Sequence, residues 1–191
     1  TYVQARIVAV KPGHKVNVGF TSKLKKKWLA YQKTEPCPSY DPSLPPVYDT
    51  QKIEETLPHR FPFLMVDKII ELTEKQVVGV KNITADQYFF QGHFPNNPVF
   101  PGVLQLEAMA QTGGILALST VPDPENWDTY FLKIDKVRFK RKVVPGDTLI
   151  LKLKLLSPIR RGICFMYAKA YVANDLVSEG ELTAQIIKRT S

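Results

Sequence analysis

The chain is short of cysteine, of long apolar runs and, over its opening stretch, of any acidic residue. Each shortage removes a class of protein. Only two cysteines occur in 191 residues, Cys37 and Cys164, and neither has a second Cys or a His at metal-ligand spacing. A disulfide framework and a cysteine-based zinc site are excluded, and two free thiols in a reducing compartment are expected. No apolar run approaches the roughly 18 to 20 residues that cross a bilayer. The first residues lack the charged, apolar and small-residue order of a signal peptide. A cytoplasmic protein without a membrane span is therefore expected, and a chain beginning at Thr1 rather than Met reads as a processed form or a fragment. There is no internal repeat.

The formal net charge of +8 raises the question of nucleic acid, and its distribution answers it. Residues 1 to 33 hold eight basic side chains, Arg6, Lys11, Lys15, Lys23, Lys25, Lys26, Lys27 and Lys33, and no Asp or Glu. From Thr34 onward 18 basic residues face 18 acidic ones, so the larger part of the protein is formally neutral and no nucleic-acid partner is expected.

The pattern falls into three stretches. Residues 1–33 read as a strand (Val3 to Val10), a Pro12-Gly13 turn and a Lys-rich helix (Val16 to Tyr31), too little to close a core alone. Residues 34–49 contain Pro36, Pro38, Pro42, Pro45 and Pro46, which favour extended backbone and read as a linker. Residues 50–191 form the main domain. A short helix from about Thr50 to Leu57, capped by Asp49 or Thr50, stops at Pro58. Strands are expected at Leu64 to Leu72, Gln76 to Ile83, Thr129 to Val143, Thr148 to Leu156, Gly162 to Val172 and Leu176 to Ile187. Turns at Pro145-Gly146-Asp147, Pro158 and Asn174-Asp175 separate the later ones. One long helix, Val103 to about Leu118, begins after Pro101-Gly102. The class is α+β.

That helix carries the chemical clue. Its circumference is apolar or small nearly all round, so it belongs in the interior, yet it holds one ionisable residue, Glu107. A buried carboxylate is costly unless it is paired, protonated or open to a cavity; the plain alternative is a subunit seam or solvent. Burial favours its protonated, donating form, while the helix N-terminus favours the charged one. Immediately before the helix, Gly92 to Gly102 (GHFPNNPVFPG) holds His93 in a loop stiffened by prolines. The helix start supplies unpaired backbone N–H groups suited to a developing oxyanion. A potential base, acid and electrophile thus occur together. Fourteen residues separate His93 from Glu107, so only the fold, or a symmetry mate, can bring them face to face.

LPHRFPFLMVD (Leu57 to Asp67), GHFPNNPVFPGVLQLEAMAQ (Gly92 to Gln111) and FLKIDKVRFKRKVVPGD (Phe131 to Asp147) closely resemble the FabZ-type 3-hydroxyacyl-acyl carrier protein dehydratases, over about Gln51 to Lys188. The resemblance implies a hot-dog fold, a curved antiparallel sheet wrapped around one long central helix. It implies dimers, commonly assembled as trimers of dimers, with His93 of one subunit and Glu107 of its neighbour at each acyl tunnel. The activity implied is removal of water from a (3R)-3-hydroxyacyl thioester. His93 takes the C2 proton, Glu107 protonates the C3 hydroxyl, the N–H of about Gly102 holds the thioester oxygen, and neither metal nor organic cofactor is needed.

Acyl carrier protein is the implied partner. Arg138, Lys140, Arg141 and Lys142 are the basic residues for docking it, a solvated strand face being the alternative. The adjacent Gly113 and Gly114 read either as close helix-on-sheet packing or as room for the acyl tunnel. His59 and Arg60 are assigned loop architecture only. Rival readings are a hot-dog thioesterase and a non-catalytic acyl-carrier-binding module. Isomerising relatives resemble the loop but use Asp at the helix position.

Lys11-Pro12-Gly13-His14 with Asn17 and the Lys-rich helix is similar to the C-terminal end of the zinc-dependent UDP-3-O-acyl-N-acetylglucosamine deacetylase (LpxC) of lipid A synthesis. His14 would correspond to that family's histidine. The family's zinc ligands have no counterpart, so neither zinc nor deacetylase activity is expected, and a piece of a deacetylase-dehydratase fusion is the simplest account.

Overall fold

A computed structural model describes residues 35–189. The expected strand, helix and His14 of residues 1–33 lie outside the described residues. The chain divides between Pro36 and Cys37, and the fold below is that of the second unit.

The proline-rich stretch leads into helix α1 (Thr50–Thr56), where Asp49 is the N-cap and accepts from the Lys52 N–H at 2.9 Å. Strands β1 (Lys68–Leu72) and β2 (Gln76–Asn82) follow, then a single 3-10 turn (Tyr88–Gln91) and the long helix α2 (Gly102–Leu118). After a second 3-10 turn at Pro124–Asn126 come β3 (Trp127–Phe139), β4 (Thr148–Leu155), β5 (Ile163–Val172) and β6 (Asp175–Lys188). The six strands make one antiparallel sheet in the order β1-β2-β4-β5-β6-β3, with α2 packed across one face.

Period-two alternation decides what meets the helix. Val77, Leu149, Leu151, Leu153, Cys164, Met166, Ala168 and Leu182 join Leu106, Met109, Ile115, Leu116 and Leu118 in the main core. Each such Leu, Ile or Met contributes about 1.5–3 kcal/mol over leaving it exposed. The alternate residues Val78, Val80, Ile150 and Tyr171 are also buried, in a second cluster partly covered by Cys37, Tyr40, Ile70 and Leu176. Two-sided burial is why β2 reads as a nearly continuous apolar run. The stretch from Cys37 to Tyr40 therefore lies against the outer face of the sheet.

Helix and sheet approach closely at Gly79, where an added Cβ would stand 2.7 Å from Thr112 Oγ1 and 2.9 Å from its Cγ2. Gly113 does the same on the helix side, 2.8 Å from Met166 Sδ and 2.9 Å from Leu153 Cδ2.

Two boundaries differ from expectation. The strand expected at Leu64 begins only at Lys68, because the buried Met65 N–H donates to the Gln111 side chain at 2.7 Å rather than to a ladder partner. The strand expected to reach Val143 ends at Phe139. Beyond it Lys140 N–H bonds Val177 O at 2.7 Å, and Val143 O accepts from Phe100 N–H at 2.7 Å, fastening the His93 loop to the β3–β4 connection.

Candidate active site

His93 sits between the first 3-10 turn and α2, in a loop pinned at several points. Its own N–H reaches Phe89 O at 2.9 Å, its carbonyl takes the Val99 N–H at 2.9 Å, and Phe94 and Asn97 bond each other. The His93–Phe94 peptide is cis. The ring Nδ1 lies 2.7 Å from Val99 O, an acceptor only, so Nδ1 carries the proton and Nε2 of the neutral ring keeps its lone pair. The loop thus presents a base in one defined tautomer.

Beside it α2 begins at Gly102, with Pro101 as a cap that offers no side-chain bond. Leu104 and Gln105 N–H turn back to Pro101 O. Gly102 and Val103 N–H, the first two of the helix, have no carbonyl partner among the described residues and mark its positive end. A Cβ on Gly102 would meet the Phe139 ring at 2.8 Å, so glycine is required for that ring to lie there. His93, Gly102, Phe139, Lys140, Arg141 and Lys142 line one groove.

Glu107 opens elsewhere. It lies on the next turn of α2 at the mouth of an apolar cavity of about 210 Å³. The cavity runs between helix and sheet past Gly113, Gly114, Leu153, Met166 and Leu182, and is flanked by Thr129, Tyr130 and Phe131 at the start of β3. Of the glycine pair, Gly113 packs on the sheet, and both residues line the cavity.

One chain brings His93 together with Gly102 and three of the basic residues, and keeps Glu107 in a different cavity. Among the basic candidates, Lys140 is tied to the buried Glu179 at 2.9 Å and Arg141 to Asp175 at 2.9 Å. Arg138 and Lys142 enter no ion pair among the described residues.

Two residues around Glu107 have more to do than the sequence reading allowed. Gln111, one turn on and buried, accepts from Met65 N–H and donates to Phe63 O and to Glu107 Oε1, both at 2.8 Å. Its signal was present: an amide side chain at i+4 from Glu107, on the same face of the helix. His59, assigned to loop architecture, places Nε2 3.6 Å from Glu107 Oε1. Burial holds its ring below the usual histidine range, against the opposing pull of Glu107. Cys164, deep in the cavity, has its thiol pushed up to about 11 by burial.

An antiparallel sheet around a buried helix, with a histidine loop at the helix start and a carboxylate one turn inside, defines a hot-dog domain. The chain belongs to the FabA-like domain family, whose model matches residues 57–181. It is 55% identical to the 3-hydroxyacyl-[acyl-carrier-protein] dehydratase FabZ of Syntrophobacter fumaroxidans, over 72% of this chain and 93% of that one. It is 51% identical to the bifunctional enzyme LpxC/FabZ of Bacteroides thetaiotaomicron, over 97% of this chain. The chain spans 40% of the length of that bifunctional relative. Among solved structures, the dehydratase heterocomplex ApeI:P of Xenorhabdus doucetiae shares the fold, with a TM-score of 0.61 at 17% identity over 73% of this chain and 91% of that one. Among the described residues no helix is long and apolar enough to cross a membrane.

Proposed function

We propose that this chain dehydrates (3R)-3-hydroxyacyl thioesters of acyl carrier protein to trans-2-enoyl thioesters, in a dimer whose sites each combine His93 of one protomer with Glu107 of the other. The observation that carries the reading is a tautomer-fixed histidine and an otherwise solitary helix carboxylate, each beside one part of an acyl site. The elimination balances. His93 Nε2 takes the C2 proton, the C2–H electrons become the C2=C3 bond, the C3–O bond breaks, and the departing oxygen takes the proton of Glu107 and leaves as water. The free N–H groups at the start of α2 hold the thioester oxygen while it carries negative charge. Exchange with solvent returns His93 and Glu107 to their starting states.

The edge strand β3 supports the dimer. Among the described residues it pairs only with β6, and it exposes Tyr130, Phe131, Leu132, Ile134 and Phe139, a long apolar edge that soluble proteins ordinarily cover. Its two ends serve different cavities: Thr129 to Phe131 flank the Glu107 cavity, and Phe139 lines the His93 groove. Antiparallel pairing of β3 with its copy sets the start of one strand against the end of the other, and so sets Glu107 of one protomer beside His93 of its partner. Lys142 and Arg138, the unpaired cations near the groove, carry the docking of an acidic carrier protein. A cytoplasmic location fits the two free thiols.

Subunit complementation tests this. His93→Ala and Glu107→Gln are each inactive alone in hydration of crotonyl thioester; mixed equally and refolded, half the dimers hold one intact site, giving about one quarter of wild-type activity. Activity retained by either single variant refutes the roles, and no recovery on mixing refutes the shared site. Release of free thiol in place of an enoyl absorbance change marks a thioesterase.

A further inference from the structure

Two side-chain nitrogens face one oxygen of Glu107, and among the described residues none is hydrogen-bonded to the other. Gln111 Nε2 lies 2.8 Å from Oε1 and His59 Nε2 lies 3.6 Å from the same atom, while Oε2 has no hydrogen-bond partner among the described residues. His59 sits between α1 and β1, its ring against Phe63 at 6.2 Å between centroids. Arg60, the charged residue next to it, turns away and donates to the carbonyls of Leu57 and His59. Glu107 from α2 and Arg60 from its own turn are the charged groups acting on His59. Gln111 and Phe63, which do not titrate, and Tyr130, which does, line the same cavity.

His59 Nδ1 is buried without a hydrogen-bond partner. Nδ1 lacks a partner in either tautomer, but a lone pair on Nε2 would face Glu107 Oε1, which already accepts from Gln111, and a second proton on the ring would add a buried charge. The ring is therefore neutral and carries its proton on Nε2, on the side of Glu107.

We propose that His59 is a positioning residue for Glu107: its neutral Nε2–H, together with Gln111, occupies Oε1, so that the transferable proton resides on Oε2. An O–H at Oε1 would be opposed by two N–H donors, whereas a carbonyl-type oxygen accepts both. The same donors receive the negative charge that forms as the proton leaves. A separation of 3.6 Å is long for a hydrogen bond in the resting acid, and catalytic contacts commonly tighten only when charge develops. Neutrality is essential, since an imidazolium would favour ionised Glu107 and withhold its proton. The inference rests on Glu107 being the acid of the proposed reaction.

The test is the pH dependence of kcat and kcat/KM for dehydration of a 3-hydroxybutyryl thioester by the full chain. His59→Phe keeps a ring against Phe63 and removes the donor. It lowers kcat about tenfold, the worth of one hydrogen bond to a developing charge, leaves KM nearly unchanged, and moves the alkaline limb of the kcat profile to higher pH. His59→Gln, whose amide N–H reaches the same oxygen, restores most of kcat. Should the Phe variant fail to fold, His59→Asn, too short to reach, supplies the same contrast with His59→Gln. Wild-type kcat without the donor, an unmoved alkaline limb, or no rescue by Gln overturns the proposal. Near wild-type activity of Glu107→Gln overturns the underlying reading instead. Loss in Glu107→Gln with none in His59→Phe removes only the role of His59.

Discussion

Replacing Gln111 by Leu removes a side chain that ties the α1–β1 connection to helix α2 at the mouth of the Glu107 cavity. Three bonds are lost, and they are unequal. Met65 N–H, buried and 2.7 Å from Gln111 Oε1, is left with no acceptor, a cost of about 1–3 kcal/mol. Phe63 belongs to a half-exposed residue whose carbonyl can turn to water, so that bond and the one to Glu107 together contribute about 1 kcal/mol more. Gln111→Leu is therefore destabilised by about 2–4 kcal/mol, read from urea midpoints at pH 7 and fixed protein concentration. Gln111→Glu separates acceptor from donor. The new carboxyl still accepts from Met65 N–H but can donate to Phe63 O only when protonated, and it stands beside Glu107. Its folded-state pKa is raised above the unfolded value of about 4.3. By linkage this variant is close to wild type below about pH 4 and loses stability as pH rises above that value. A cost under about 1 kcal/mol for Leu, or a pH-independent offset for Glu, refutes the assignment of these bonds.

Two further outcomes follow from the packing and the surface. Gly79→Ala forces a methyl group against Thr112 Oγ1 and costs about 1–3 kcal/mol, whereas in a Thr112→Ala background, with both crowding atoms gone, the penalty shrinks by at least about 1 kcal/mol; additive chemical-denaturation energies would show that helix and sheet do not meet there. Asp123, bonded to Lys188 at 2.7 Å and to Trp127 Nε1 at 3.0 Å, has its carboxyl lowered to about 2 by those partners. A depressed carboxylate contributes stability above its unfolded value and loses it as pH falls. The gap in melting temperature between wild type and Asp123→Asn is thus present at pH 7 and closes as pH drops from about 4 toward 2; a constant gap in thermal melts would exclude the linkage.

The elements were legible where local pattern and burial agree. Helix α2 starts at Gly102, one residue before the Val103 expected, because Pro101 cannot donate and the apolar circumference leaves no other home for the segment. Strands β4, β5 and β6 lie within a residue or so of expectation, since their inward faces meet the helix in period two. Leu64 to Asp67 misled because Met65 and Val66 belong to the main core, yet the bond that holds Met65 comes from Gln111, 46 residues away, rather than from a ladder. No local rule reports such a partner. Nor does composition show that the proline-rich stretch covers an outer cluster of Val78, Val80 and Ile150.

The site divides the same way, and β3 explains why. Residue type and spacing singled out His93, Glu107 and the helix start, since each breaks a local rule: a ring in a proline-stiffened loop, a carboxyl in an apolar helix, unpaired N–H groups. What they could not supply is the distance between them, which in the proposed dimer depends on strand pairing outside the chain. Within one protomer, α2 directs its first turn to the groove at the end of β3 and its second to the cavity at the start of β3. The two proposed chemical halves are thus held at opposite ends of one thirteen-residue strand whose outer edge is unpaired among the described residues. An antiparallel partner is the arrangement that joins unlike ends, and it also covers the apolar edge. On this reading a charge such as Leu132→Lys, placed far from either reacting group, abolishes activity through loss of the dimer. Sedimentation and the hydration assay must then fail together, and an active monomer would break the link between edge pairing and chemistry.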